Sequence, residues 1–174
     1  MFQLANLLIV GAPRDNTSVL SKLNVTSSGA VYRCKVDKND CEVINVDTDY
    51  VYGKDPYDDK MKQRDILSGQ WLGSSISASN SGNLVVCAHR YADKTLTFRD
   101  RHPIGRCTIL NTDSNIKFKY TPCKDGGRYK QIGVRGISFC QAGSSVKMSE
   151  DGSLITVGGP GAYLWNGMDF CKIL

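Results

Sequence analysis

The residues of this 174-residue chain with the clearest chemistry are its seven cysteines, at Cys34, Cys41, Cys87, Cys107, Cys123, Cys140 and Cys171. No two form a CxxC pair, which argues against a zinc ribbon or a dithiol redox motif. A disulfide framework in an oxidising compartment fits better. Two glycosylation sequons in one polar loop, Asn16-Thr17-Ser18 and Asn24-Val25-Thr26, point the same way. Catalytic types are scarce. A hydrolase needs a nucleophile, a base and an orienting acid. The only histidines are His89, at the end of an apolar run, and His102, before Pro103 in a charged loop. There is no Gly-x-Ser-x-Gly elbow, and Gly158 to Gly161 lacks the Gly-Lys-Ser/Thr of a phosphate loop, so it reads as a tight turn. Asp47-Thr48-Asp49 and Asp55 to Asp59 come nearest to a calcium loop. Neither has a third spaced acid followed by glycine, and both read as solvated acidic loop. The chain reads as a non-enzyme.

The elements that position these residues are strands. Helical periodicity is nearly absent, and apolar runs of four to eight residues are bounded by Gly, Asn, Asp or Ser. Strands are expected at 6–12, 29–36, 41–46, 71–79, 83–91, 105–110, 116–121, 140–149, 153–159 and 168–174. One pattern recurs three times: Leu7-Leu8-Ile9-Val10-Gly11-Ala12-Pro13, Leu84-Val85-Val86-Cys87-Ala88-His89 and Leu154-Ile155-Thr156-Val157-Gly158-Gly159-Pro160. Val10, Val86 and Val157 are 76 and 71 residues apart. Gly73-Ser74-Ser75-Ile76 and Gly143-Ser144-Ser145-Val146 precede the second and third copies. A period this long suggests one sheet per repeat, arranged radially or stacked, with a β-sandwich as the competing arrangement. Gly82 and Gly152 supply the φ > 0 residue of tight hairpins just before two of the apolar runs. Gly73 and Gly143 are expected in the innermost strand, where a missing Cβ permits close approach. The apolar runs are expected to lie between neighbouring sheets.

A hydrophobic share of 41% and a mean hydropathy of -0.28 fit a globular chain. No segment reaches the length of a membrane span. Residues 2–10 lack a positive n-region and read as a strand rather than a signal peptide. A disulfide-bearing, sequon-bearing chain without a secretion signal reads as part of a longer protein. Residues 37–65 carry nine acids and five bases, and residues 90–135 carry eleven Lys or Arg against four Asp. The basic stretch could steer an acidic partner or be a solvated loop face. It lacks the helical or aromatic-interleaved pattern of a nucleic-acid site, so no nucleic acid is expected.

These residues resemble the repeats of integrin α chains. The resemblance rests on the Gly-x-Ser-Ile/Val starts, the Leu-Ile-Val-Gly-Ala-Pro-like strands and Tyr163, Trp165 and Gly167. It also rests on Gly29 to Cys34, Gln70 to Gly73, Cys87 to Tyr91 and Cys140 to Gly143, and it covers essentially the whole chain. It implies an all-β fold, part of a seven-bladed β-propeller with an incomplete ring. Residues 1–60 would end blade one and link onward, 61–125 form blade two, and 126–174 form part of blade three. It implies the disulfides Cys34–Cys41, Cys87–Cys107 and Cys123–Cys140. Cys171 departs from the pattern, as a buried free thiol in a strand or as the partner of a residue beyond this sequence.

What the resemblance implies for function is adhesion at the cell surface. The chain would belong to the extracellular side of a single-pass membrane protein, anchored through a part that lies C-terminal. It would pair with an integrin β subunit and bind an extracellular-matrix protein such as laminin. His89-Arg90-Tyr91 and Ile104-Gly105-Arg106-Cys107 look most like the laminin-binding chains. Arg135 would repel the arginine of an Arg-Gly-Asp ligand, whereas Gly158 to Gly161 looks more like the Arg-Gly-Asp group, so the two signals conflict. Candidate ligand-binding residues are Tyr129, Lys130, Arg135, Phe139, Tyr163 and Trp165; packing between blades is the plainer role for Tyr163 and Trp165, and a disulfide-pinned spacer for the 123–140 loop. No cofactor or metal is expected in this segment, and calcium is expected in later blades. The alternative reading is a secreted propeller protein or enzyme of another class.

Overall fold

The computed structural model describes residues 2–4, 7–21, 24–38, 40–47, 50–54, 59–94, 101–111, 113, 115–125 and 138–174. Three antiparallel meanders form its frame. The first sheet is β1 (Phe2–Leu4), β2 (Leu7–Ala12), β3 (Ala30–Lys35) and β4 (Asp40–Val43), in that spatial order. Between the first and second sheets come β5 (Tyr52–Lys54) and β6 (Met61–Gln63), a two-stranded ribbon, and β7 (Asp65–Ile66). The second sheet is β8 (Ser75–Ala78), β9 (Leu84–Ala88), β12 (Arg106–Leu110) and β13 (Ile116–Tyr120). The short β10 (Ala92–Asp93) and β11 (His102–Pro103) lie between β9 and β12 in sequence and join β7 in a small sheet of order β11-β10-β7. The third sheet is β14 (Ser145–Met148), β15 (Leu154–Gly159) and β16 (Met168–Ile173). The helical turns are α1 (Ser18–Ser21), α2 (Pro122–Asp125) and α3 (Ala162–Trp165).

The sheets stack through their first strands, β8 lying against both β14 and β1. This is the radial packing of a propeller, and the molecule is an all-β arc of one. All five residues of β9 are buried because a sheet covers each of its faces. β2 and β15 are covered less evenly, since they belong to the outer sheets of the arc. The core runs across all three sheets, with Val31, Val85, Val86, Ile109, Ile155 and Val157 enclosed. Each such side chain is worth about 1.5–3 kcal/mol on burial.

The junction between sheets is built twice with the same bonds. Leu72 N donates to Ser28 O (3.0 Å), as Ala142 N does to Ile104 O (3.0 Å). Gly73 N donates to Cys87 O, as Gly143 N does to Gly158 O, both at 3.0 Å. Gly73 and Gly143 are not in the innermost strands, as the sequence suggested, but just before them, at φ 86° and 95°. Their missing Cβ serves close approach to the preceding sheet. A Cβ on Gly73 would lie 2.7 Å from Ala30 O, and one on Gly143 would lie 2.6 Å from Cys87 Cβ. The β strands expected over 71–79 and 140–149 are shortened by these turns to Ser75–Ala78 and Ser145–Met148.

Antiparallel order separates the connections into two ends. The short links β1→β2, β3→β4, β8→β9, β12→β13 and β14→β15 share one end, with Gly82 (φ 84°) and Gly152 (φ 75°) at two of the hairpins. The long links β2→β3, β4→β8, β9→β12, β13→β14 and β15→β16 share the other. Among the described residues, no helix is long and apolar enough to cross a membrane.

Candidate functional site

The long-link end carries the described sequence candidates. Asn16 and Asn24 lie exposed between β2 and β3, with Asn24 in the left-handed region at φ 56°. Tyr129, Lys130 and Arg135 lie outside the described residues. Phe139, Tyr163 and Trp165 are brought together. Gly161 N donates to Cys140 O (3.1 Å), and a Cβ on Gly161 would collide with the Phe139 carbonyl and sit 3.4 Å from the Trp165 ring. The turn that follows is strained. Tyr163, Leu164 and Trp165 all take positive φ (50°, 61° and 67°) without being glycine. It projects Leu164 and Trp165 to solvent at 57% and 62% exposure, while Tyr163 packs against the core.

The structure bonds Cys34 to Cys41, Cys87 to Cys107 and Cys123 to Cys140. The third ties the end of β13 to the segment carrying Phe139. Cys171 is free and exposed on β16, so the buried-thiol alternative is corrected: it lies on the outermost strand of its sheet, opposite Thr156.

Beneath this end lies a buried ion cluster that the sequence reading missed. Asp47, expected in a solvated acidic loop, has a side chain only 1% exposed. It accepts from Arg106 Nη2 (2.6 Å), Lys119 Nζ (2.8 Å) and Gln70 Nε2 (2.9 Å). Burial pushes its carboxyl up, but Arg106 and Lys119 outweigh that and hold it below the ordinary value. Arg106 also lies over the Tyr91 ring at 3.9 Å. The cluster fixes the β4→β8 link to β12 and β13, and it neutralises part of the charge contrast between residues 37–65 and 90–135. Its Oδ1 is taken by Arg106 and Lys119 and its Oδ2 by the Gln70 amide, so Asp47 is not poised to hold a cation. Among the described residues, no group of three His, Cys, Asp or Glu side chains could hold a metal ion. The available signal for the cluster was an arginine inside an apolar strand; its partners lie 59 residues away (Asp47 to Arg106) and 72 residues away (Asp47 to Lys119).

His89 and Ser74 form the pair nearest to a catalytic dyad, with Nδ1 and Oγ 2.8 Å apart. Ser74 directs its proton at Cys87 O (3.3 Å), so its hydroxyl is committed to the backbone. Burial, then the neighbouring Arg90 charge, hold His89 below its ordinary pKa. Its ring meets Trp71 edge-on, and Arg90 covers the same indole at 4.6 Å. This is a packed structural cluster.

Comparison with known proteins supplies the family. No family model matches the chain. Integrin alpha-PS2 of Drosophila melanogaster is 32% identical over 175 residues, covering 94% of this chain and 11% of that protein. Integrin alpha-V of Gallus gallus is 33% identical over 161 residues, covering 92% of this chain and 14% of that protein. Integrin alpha-7 of Rattus norvegicus is 31% identical over 174 residues, covering 94% and 14%. The chain thus spans roughly a tenth to a seventh of the length of these relatives. With a propeller arc, a repeated junction and homology along almost its whole length, this chain is a homologue of integrin alpha chains, matched along one segment of them.

Proposed function

We propose that this chain forms part of the ligand-binding head of a cell-adhesion receptor, as a segment of an integrin alpha subunit. The observation that carries the reading is homology to integrin alpha chains along 94% of the sequence. In this reading the segment stands on the outer face of the cell, is anchored by sequence beyond it and pairs with an integrin β subunit for signalling. It contributes blades to a seven-bladed ring whose later blades bind calcium. The role is adhesion and not catalysis.

The long-link end is the contact surface. Tyr163 and Trp165 would meet ligand directly, with Phe139 beside them and Tyr129, Lys130 and Arg135 in the loop closed by Cys123–Cys140. The ligand class is an extracellular-matrix protein of laminin type with an acidic contact region. Arg135 favours an acidic ligand over one that presents arginine. Exposed charges at such a rim act on association more than on dissociation, and they are screened over about 8 Å at physiological ionic strength. The test is surface-binding kinetics of the full heterodimer on laminin at two salt concentrations. Lys130→Glu together with Arg135→Glu is expected to slow association at low salt and to change dissociation little. Association rates equal to the parent's at low salt would refute the loop as part of the site.

A further inference from the structure

The turn that carries Trp165 is closed from its C-terminal side. Tyr163, Leu164 and Trp165 are three consecutive left-handed residues, and none is glycine. L-residues resist that conformation because Cβ crowds the following carbonyl, so the run persists only where its surroundings impose it. Asn166 donates twice to Tyr163 O, from its backbone N (3.3 Å) and from its carboxamide Nδ2 (2.8 Å). Gly167 N donates to Ala162 O (3.1 Å). Of these three bonds, only that of the carboxamide depends on residue type.

The residue that supplies it precedes a glycine, and Asn166-Gly167 is the only Asn-Gly pair in the sequence. Asn166 is exposed. The pair lines an open cleft with Ser144, Gly159, Pro160 and Asp169, so water reaches it. Gly167 stands clear of its surroundings: a Cβ built on it would have no neighbour nearer than Pro160 at 3.8 Å. Without a side chain of its own, Gly167 leaves its amide nitrogen unhindered as a nucleophile towards the preceding carboxamide. We propose that Asn166 is a perishable clasp: its carboxamide holds the left-handed run closed, and spontaneous deamidation opens it. The proposal adds a modification to the turn read above as a ligand contact, and its bearing on binding rests on that reading.

In the reaction the Gly167 nitrogen forms a bond to Asn166 Cγ and gives up its proton. The Cγ–Nδ2 bond breaks and ammonia leaves. Water then opens the five-membered imide at one carbonyl or the other, giving aspartate or isoaspartate. No oxidant, reductant or cofactor takes part. Either product undoes the clasp. Aspartate sets a carboxylate oxygen, which can only accept, against the Tyr163 carbonyl where Nδ2 had donated. Isoaspartate also adds a carbon to the main chain before Gly167, which disturbs the Gly167–Ala162 bond. The closed turn protects itself. Gly167 N is engaged by Ala162 O, the carboxamide is tied to Tyr163 O, and Asn166 is held in helical conformation at ψ -19°. Attack therefore waits on local opening of the turn, and the strain of the left-handed run favours that opening.

The test is hydrogen exchange and peptide mapping on the full-length heterodimer. Asn166→Asp is expected to lower protection over 160–168 about tenfold, the weight of one hydrogen bond. Asn166→Thr should keep it, because a threonine hydroxyl can donate to the carbonyl three residues back. Parent protein held in mildly alkaline buffer should convert at Asn166 ahead of every other asparagine. It should do so about tenfold more slowly than the denatured chain, the protection of one closed hydrogen bond. Protein aged after assembly supplies the same change without requiring the aspartate variant to fold. Parent-like protection in Asn166→Asp or in the aged protein overturns the clasp. Absence of isoaspartate at 166 while the denatured chain converts overturns the modification. Laminin binding of the aged and aspartate forms is the second arm. Lost protection with unchanged binding supports the clasp and counts against the turn as a ligand contact.

Discussion

Removing the Asp47 carboxylate is the perturbation whose size the structure fixes best. Asp47→Ala leaves the Arg106 guanidinium, 5% exposed, without its counter-charge, and leaves the Gln70 Nε2 without its acceptor. Lys119 is one-third exposed and can turn to water, so it adds little. Breaking a buried pair by removing one partner costs about 3–5 kcal/mol. Native-state hydrogen exchange on the full-length chain reads this locally, without needing a two-state transition. Exchange over 44–47 and 104–110 should accelerate by roughly a thousandfold, the equivalent of about 4 kcal/mol. Arg106→Met alone should cost less, because Lys119 and Gln70 still hold the carboxylate. In the double variant the two losses should fall short of their sum by at least about 1.5 kcal/mol. The Asp47 carboxyl sits below its ordinary value, so its contribution is complete above the unfolded value of about 3.9 and is lost only as pH falls through the lower folded one. The gap between parent and variant should therefore be flat from pH 8 to about 5 and close below about 4. An acceleration under about tenfold at pH 7, or strict additivity, would refute the argument that this cluster is a closed, mutually dependent unit.

Three further outcomes follow from the geometry. Gly105→Ala should destabilise by more than about 2 kcal/mol, because its Cβ collides with Ala142 at a φ of 77°; denaturant midpoints check it. Trp165→Gly removes an exposed side chain and relieves a left-handed backbone, so stability should hold or rise by about 1 kcal/mol while ligand affinity falls. A loss of stability would instead make Trp165 a packing residue. Non-reducing peptide mapping should recover Cys34–Cys41, Cys87–Cys107 and Cys123–Cys140, with Cys171 alkylated in the native protein; a Cys107–Cys123 peptide would contradict the structure.

The long strands were legible because each is an apolar run closed by a turn residue, as Leu84–Ala88 is by Gly82 before it. The strands Asp65–Ile66, Ala92–Asp93 and His102–Pro103 were not. They are two residues each, show no alternation, and exist only because two loops meet. The same holds for the buried charges. Asp47 sits among exposed acids in sequence, and although Arg106 stands out in an apolar strand, nothing local names Asp47 or Lys119 as its companions. The left-handed run Tyr163–Trp165 had no signal either, since none of its residues is glycine, asparagine or aspartate. Repeats and hairpins are local or periodic properties and can be read along the chain, whereas contacts between links depend on how the sheets stack.

The most direct test of the central claim, that ligand is met at the long-link end, is a glycan placed at each end in turn. Leu164→Asn with Asn166→Thr creates an acceptor on the exposed turn, where the left-handed φ of 61° suits asparagine. Lys117→Thr makes exposed Asn115 an acceptor at the hairpin end. Binding of the full heterodimer to laminin should be lost with the first glycan and kept with the second. Retained binding with the first, or loss only with the second, would contradict the account.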